Sequence, residues 1–451
     1  MITRDKSFYK SILTLTLPIA CQNLITFAVS LADSVMIGRI AENSEKHIVG
    51  VSFANQLFFI FMILMFGLGS GANILLSQYW GKKDKESIRK IISILYRVAI
   101  VFAVLFMLIA AFLPKWFMSI FSDDPQVIRY GVDYLKIIFI SYIFFAITSV
   151  TISALRSVEI VNISIVVYGT SLLINVFLNW VLIYGNLGMP ALGVRGAAIA
   201  TTTARIVEFL IVLVFMAFFE KKIKLKFKHL LKWDDTLFKD YALIGTPVLF
   251  NELIWVISSS VLVWIISKMG TEVATANNIT NTAWQFVSVF FMGAGHASSV
   301  IIGRTIGAEQ YQKTKEYAKT LIFLALILGI VGALFMIVLR PYIISMYNIS
   351  DYTYNLTMQV MSVSALVIVF QSLAFMLLVG ILRGGGDTKF VLLADVVFLT
   401  FGALPLGYIV AIVLKCPIPL AFLALKSDEI LKVFFGLFRV KGNKWIRNVT
   451  R

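Results

Sequence analysis

"LPIACQNLITFAVSLADSVMIGRI" runs from Leu17 to Ile40, and Asp33 sits far inside it. About twenty consecutive apolar residues cross a hydrocarbon core of ~30 Å at 1.5 Å per residue. The stretch reads as a membrane helix carrying one deep carboxylate. An Asp at the centre of such a helix costs about 2.5–3.5 kcal/mol on insertion scales, and by default it marks an ion or substrate path.

The pattern recurs. Of the 451 residues, 59% are hydrophobic and 14% are charged, whereas soluble chains average about a quarter charged. Apolar runs of spanning length are centred near residues 24, 64, 102, 142, 172, 208, 254, 289, 328, 367, 401 and 426. About twelve transmembrane helices are expected, in an all-α integral membrane protein with no sizeable soluble domain. The last run is the weakest, because "KSDE" at 426–429 interrupts it. The basic N-terminus leads into an apolar run too long for a signal peptide, so it reads as a retained first helix.

The net charge of +16 is explained by topology rather than by nucleic acid. With the N-terminus inside, the inner segments include "GKKDKESIRK", "EKKIKLKFKHLLKWDDTLFKD" and "RVKGNKWIRNVTR". They and their flanks hold about 30 of the 40 Lys and Arg, as the positive-inside rule requires. Both termini are expected on the cytoplasmic side of the plasma membrane, with a basic surface facing anionic lipid.

The chain also repeats itself. "PIACQNLI" at 18–25 resembles "PVLFNELI" at 247–254. "GLGSGANILLSQYWG" at 67–81 resembles "GAGHASSVIIGRTIG" at 293–307, and "ALRS" at 154–157 resembles "ILRG" at 381–384. The offsets agree within a few residues, so two six-helix repeats are expected. An even helix number makes them parallel, related by an axis along the membrane normal. The division is an N-terminal lobe over 1–219, a basic linker over 220–240 and a C-terminal lobe over 241–451. Two such bundles leave a midplane cleft.

Polar residues line faces of several spans. Gln22, Thr26, Ser30 and Asp33 share one face of the first helix, and Ser171, Asn175 and Asn179 one face of the fifth. The sixth brings Thr201. The seventh begins with Asn251 and Glu252, followed by Trp255, and the eighth carries Asn278, Asn281, Gln285 and Ser288. Many of these serve equally well as helix–helix hydrogen bonds. Asp33, Glu252 and Asp395 are harder to dismiss, because each is ionisable. Arg205 and Glu208 are spaced to pair on one face. Asn251, Glu252, Trp255, Asn281 and Gln285 are expected to line a substrate cavity in the C-terminal lobe.

Enzymatic chemistry finds little support. There is no nucleotide-binding G-x-x-x-x-G-K-[ST], no metal-ligand spacing for Cys21 and Cys416, and no grouped nucleophile and base. "GGGDTK" at 384–389 lacks the phosphate-loop spacing, and Asp387 or Thr388 is expected to cap the following helix.

These stretches, with "LLINVFLNWVLIYGNLGMPALGVRGAAIAT" and "GILRGGGDTKF", resemble the multidrug and toxic compound extrusion (MATE) family, bacterial branch, over nearly the whole chain. The resemblance implies a two-lobe, V-shaped secondary antiporter that exports small organic, often cationic and amphiphilic, compounds in exchange for Na+ or H+. It implies a cation site at Asp33, Asn175, Asn179 and Thr201. Asp33, Asn175 and Asn179 would hold Na+ if coupling is to sodium. Asn179 stands where some members have a carboxylate, and the tenth span, "VIVFQSLAFMLL", lacks an acid that some members use there. Glu252 is then the main C-lobe candidate. No cofactor, nucleic acid or partner protein is expected, and a monomer is. The alternative on the same plan is a flippase for lipid-linked saccharides. It would favour a strongly basic central cavity, yet only Arg205 lies deep in a span. A membrane-embedded enzyme is a weaker alternative.

Overall fold

The computed structural model describes residues 3–38, 44–230 and 232–451. All regular structure among them is helical. Ten helices are long and apolar enough to cross a membrane, and the pair Pro125–Ile138 and Ser141–Ser157, bent by 59°, supplies an eleventh span. The expected twelfth is broken. Ile418–Leu425 and Ser427–Lys441 meet at Lys426, where "KSDE" places charges that a lipid-facing helix would not carry.

Two compact units divide the chain. The N-terminal unit comprises Cys21–Ala72 and Lys85–Lys239, and the C-terminal unit Met1–Ala20, Asn73–Asp84 and Asp240–Arg451. The first two helices are thus each shared: the opening of the first and the end of the second pack with the C-terminal unit. Pro18 lies inside the first helix and Pro247 inside the seventh, at matching places in the repeat. Each removes one backbone donor from its ladder.

In the N-terminal unit, Ile152, Val167, Tyr168 and Val212 form a buried cluster with Ile25 against it. It ties the first, fourth, fifth and sixth spans together. The segment after Glu220 is docked rather than loose. Glu220 accepts from the backbone N–H groups of Ile223 and Lys224, at 2.6 and 2.7 Å. Arg89 donates to the Ile223 carbonyl at 2.8 Å.

In the C-terminal unit, the eighth span, Thr271–Gly307, is the most enclosed, with 83% of its apolar window buried. Its last stretch, "GAGHASSVIIGRTIG", consists largely of small residues and can be approached from all sides. A Cβ at Gly307 would collide with the Gln78 carbonyl oxygen, and one at Gly81 with that of Arg304. Glycine is required at both crossings. His296 is buried edge-on against the Phe375 ring, 5.4 Å between centroids, as a packed histidine. A second cluster, including Ile265, Leu356, Leu404, Phe422 and Leu425, holds the short helix Ile418–Leu425 against the seventh, eighth, tenth and eleventh spans.

Asp387 stands at the N-cap position of the helix Thr388–Ala394 but makes no capping hydrogen bond. Its fully buried carboxylate meets Arg439 at 2.6 Å and Arg447 at 2.8 Å instead. The cap expected there gives way to an ion pair that fastens the C-terminal segment, in which Trp445 is also buried.

Candidate functional site in the N-terminal unit

The fifth span, Asn162–Tyr184, turns Ser164, Val167, Ser171, Asn175 and Asn179 inward. Their spacing follows one helical face, polar where a lipid-packed face would be apolar. Asn175 and Asn179 are completely buried.

The polar faces of three spans meet there. Asn179 Nδ2 donates to Asp33 Oδ1 at 2.5 Å and to Asn175 Oδ1 at 3.2 Å. Asn175 Nδ2 donates to Thr201 Oγ1 at 3.3 Å. Tyr134, which the sequence reading did not single out, is buried with its hydroxyl near Thr201 and Asn55. It lies on the amphipathic helix Pro125–Ile138, among its buried residues, and no run of buried polar residues announced it.

One atom in this chain of amides is left over. Asn179 Oδ1 is buried without a hydrogen-bond partner. An orphaned buried acceptor costs about 1–3 kcal/mol, and a cation or a proton donor would satisfy it. The donor set fits a monovalent ion: one carboxylate plus neutral amide and hydroxyl oxygens. Among the described residues no group of three or more His, Cys, Asp or Glu is arranged to hold a metal ion, as a site for a highly charged ion would need.

Arg205 pairs with Glu208 through Nη1, at 2.9 and 3.0 Å from the two carboxylate oxygens. The guanidinium lies 4.8 Å from the Phe145 ring centroid and 5.3 Å from that of Phe58. The pair anticipated from the i,i+3 spacing is formed.

The second group of residues lies in the C-terminal unit. Arg383 donates to Asn251 Oδ1 at 2.6 Å and to Glu252 Oε1 at 2.7 Å. Asn251 Nδ2 donates to Asp395 Oδ2 at 2.5 Å. Trp255 and Asn281 are exposed and Gln285 is half-buried, so only Asn251 and Glu252 of the expected cavity residues enter this network. Arg383, Asp428, Glu429 and Lys432 were missed as site residues. The repeat held a clue: "ALRS" and "ILRG" align Arg156 with Arg383, and Arg156 donates to Gln22 at 3.3 Å as Arg383 does to Asn251.

The MatE family model matches twice, over residues 18–181 and 247–411. The chain belongs to the MatE family. The second match starts 229 residues after the first (247 − 18), in register with the repeat. MATE proteins are membrane transporters, so this chain is a multi-pass transporter and not an enzyme.

The chain is 25% identical over 406 residues to "Probable multidrug resistance protein NorM" of Bacillus cereus, covering 89% of this chain and 88% of the relative. It is 24% identical over 354 residues to "Probable multidrug resistance protein YoeA" of Bacillus subtilis, covering 77% and 76%. The MATE fold is shared with the crystal structure of MATE in complex with MaL6, with a TM-score of 0.86 at 16% identity over 96% of both chains. A MOP superfamily transporter from Pyrococcus furiosus gives the same TM-score and identity over 98% of this chain and 99% of that one.

Proposed function

We propose that the chain is a secondary antiporter exporting small organic, often cationic and amphiphilic compounds across the plasma membrane in exchange for Na+ or H+. It works by rocking-bundle alternating access, as a monomer with both termini in the cytoplasm. The observation that carries the coupling step is the hydrogen bond from Asn179 to Asp33, with Asn175 and Thr201 continuing the line. The relatives' names support drug export, and no feature of this family match favours a saccharide flippase.

Asp33 is the acceptor of the mobile charge in this reading. Na+ would take the carboxylate together with Asn179 Oδ1 and its neighbours, while a proton would neutralise the carboxylate directly. Either ion moving inward gains about 2.3 kcal/mol per charge per 100 mV of membrane potential. Export follows if ion and drug prefer opposite facing states, because equal affinity for both states shifts nothing.

The test is transport in proteoliposomes. An inward Na+ or pH gradient should drive extrusion of a lipophilic cationic dye by the wild type. Asp33→Asn should lose the gradient-driven part while inserting and purifying normally. Gradient-driven export at wild-type rate in Asp33→Asn would sink the proposal.

A further inference from the structure

Asp33 and Asp395 are both deep carboxylates touched by an asparagine amide, yet their remaining partners differ. Around Asp33 the hydrogen bonds come from neutral amides. Asp395 instead meets the ammonium of Lys432 at 2.5 Å. The same Nζ lies 2.8 Å from Asp428 Oδ2, one turn earlier on the helix Ser427–Lys441. The Lys432 side chain is 6% exposed.

The groups around this ammonium are themselves held. Asn251 holds the second oxygen of Asp395, Arg383 holds Asn251, and Glu252 takes the other arm of Arg383. On the far side, Glu429 accepts from Gln371 Nε2 at 3.2 Å, and Gln371 Oε1 accepts the Trp284 indole N–H at 2.7 Å. Asp395 also opens a run of π-helical turns, Asp395–Ala403, a distortion common at functional sites.

Stability alone gives no reason to keep such a network. Apolar replacements of buried ion pairs are often neutral or stabilising. In a transporter the arrangement has a specific consequence. Asp395 and Asp428 form a cation cage, and the chain fills it with its own side chain.

We propose that Lys432 is a tethered cation occupying the Asp395–Asp428 site of the C-terminal unit, so that this unit takes no coupling ion and Asp33 alone couples transport. The inference rests on the reading of Asp33 given above. Lys432 is thereby a determinant of ion stoichiometry. It does for Asp395 permanently what a mobile ion does for Asp33 once per cycle.

The purified full-length chain would be melted in NaCl against choline chloride at equal ionic strength. Asp33→Asn removes the N-terminal site and should show no Na+-dependent rise in melting temperature. Adding Lys432→Met should create one, which Asp395→Asn abolishes and Lys432→Arg never produces. A Na+-dependent rise already present in Asp33→Asn overturns the proposal, as does a folded Asp33→Asn/Lys432→Met protein without one. Should the Met variant not fold, equilibrium Na+ binding to the wild type decides. At most one Na+ per chain supports the tethered cation, and two overturn it. Failure of the Asp33 reading is seen separately, as gradient-driven export surviving in Asp33→Asn.

Discussion

Asn73 donates its side-chain amide to Ser299 Oγ at 3.1 Å, and the two residues occupy the same place in the two repeats (299 − 73 = 226). The contacts flanking them are reciprocal. Gly81 lies against Arg304, and Gly307, its own counterpart, against Gln78, the counterpart of Arg304. Reciprocal contacts of this kind are the signature of a twofold relation. The second and eighth helices therefore cross at equivalent points.

That crossing leaves no room for a side chain. Gly307→Leu and Gly81→Leu should damage the protein equally, because each drives a side chain into a backbone carbonyl. Overpacking typically costs about 1–3 kcal/mol, and more where backbone must move. Size-exclusion profiles and melting temperatures of the two variants measure this. A normal profile for either one removes close approach as the reason for the glycine pair.

The Asp33 site predicts a ranking. Asp33→Asn removes the charge. Asn179→Leu removes the donor in direct contact with it, together with the orphaned Oδ1. Thr201→Val removes a hydroxyl that accepts from Asn175. Ion-driven export should fall in the order Asp33→Asn, Asn179→Leu, Thr201→Val, with the last retaining measurable coupling. Initial rates of dye extrusion at matched protein density give the order. Thr201→Val losing as much as Asp33→Asn would show that the hydroxyl is a direct ligand.

The sequence made the N-terminal site legible because its members fall at helical spacing on polar faces. Asn175 and Asn179 are four apart, and Asp33 is isolated among apolar neighbours. The C-terminal network was only half legible. Glu252 and Asp395 stood out as ionisable residues in apolar runs, but Asp428 and Glu429 looked like an interruption of the last span, and Lys432 was not singled out. The pairing of Lys432 with Asp428 and Asp395 exists only in three dimensions, where Lys432 reaches across to the eleventh span. A hydropathy reading sees each charge as a cost and cannot see its partner. Arg383 was hidden for the same reason, next to a glycine-rich turn that looked like a loop.

Topology is open to direct chemical test. In a chain with Cys21 and Cys416 replaced by Ser, single cysteines at Lys83, Lys226 and Lys441 should resist a membrane-impermeant thiol reagent in intact cells. One at Lys46 should react, since its side chain is 40% exposed beside Asp124. Permeabilised cells should label at all four positions. Labelling of all four in intact cells contradicts the positive-inside assignment.

Glu252 supports two roles that transport can separate. It lies in the polar start of the seventh helix, where a carboxylate would attract a cationic substrate. Its Oε1, however, is 2.7 Å from Arg383 Nη1, and Arg383 also holds Asn251 and through it Asp395. The guanidinium is the more buried partner, at 3% exposure against 16%. Removing the carboxylate therefore leaves a buried cation underserved, which is strongly destabilising when a pair is broken from one side. A glutamine keeps one acceptor for Arg383, so Glu252→Gln should cost about 1–3 kcal/mol rather than unfold the protein. Anchoring predicts that export of a cationic and a matched neutral compound falls by the same factor, with a lowered melting temperature. Substrate attraction predicts selective loss of the cation at unchanged stability. The pairing with Arg383 makes the first outcome the expected one, and transport of the matched pair by Glu252→Gln, together with its melting curve, decides between them.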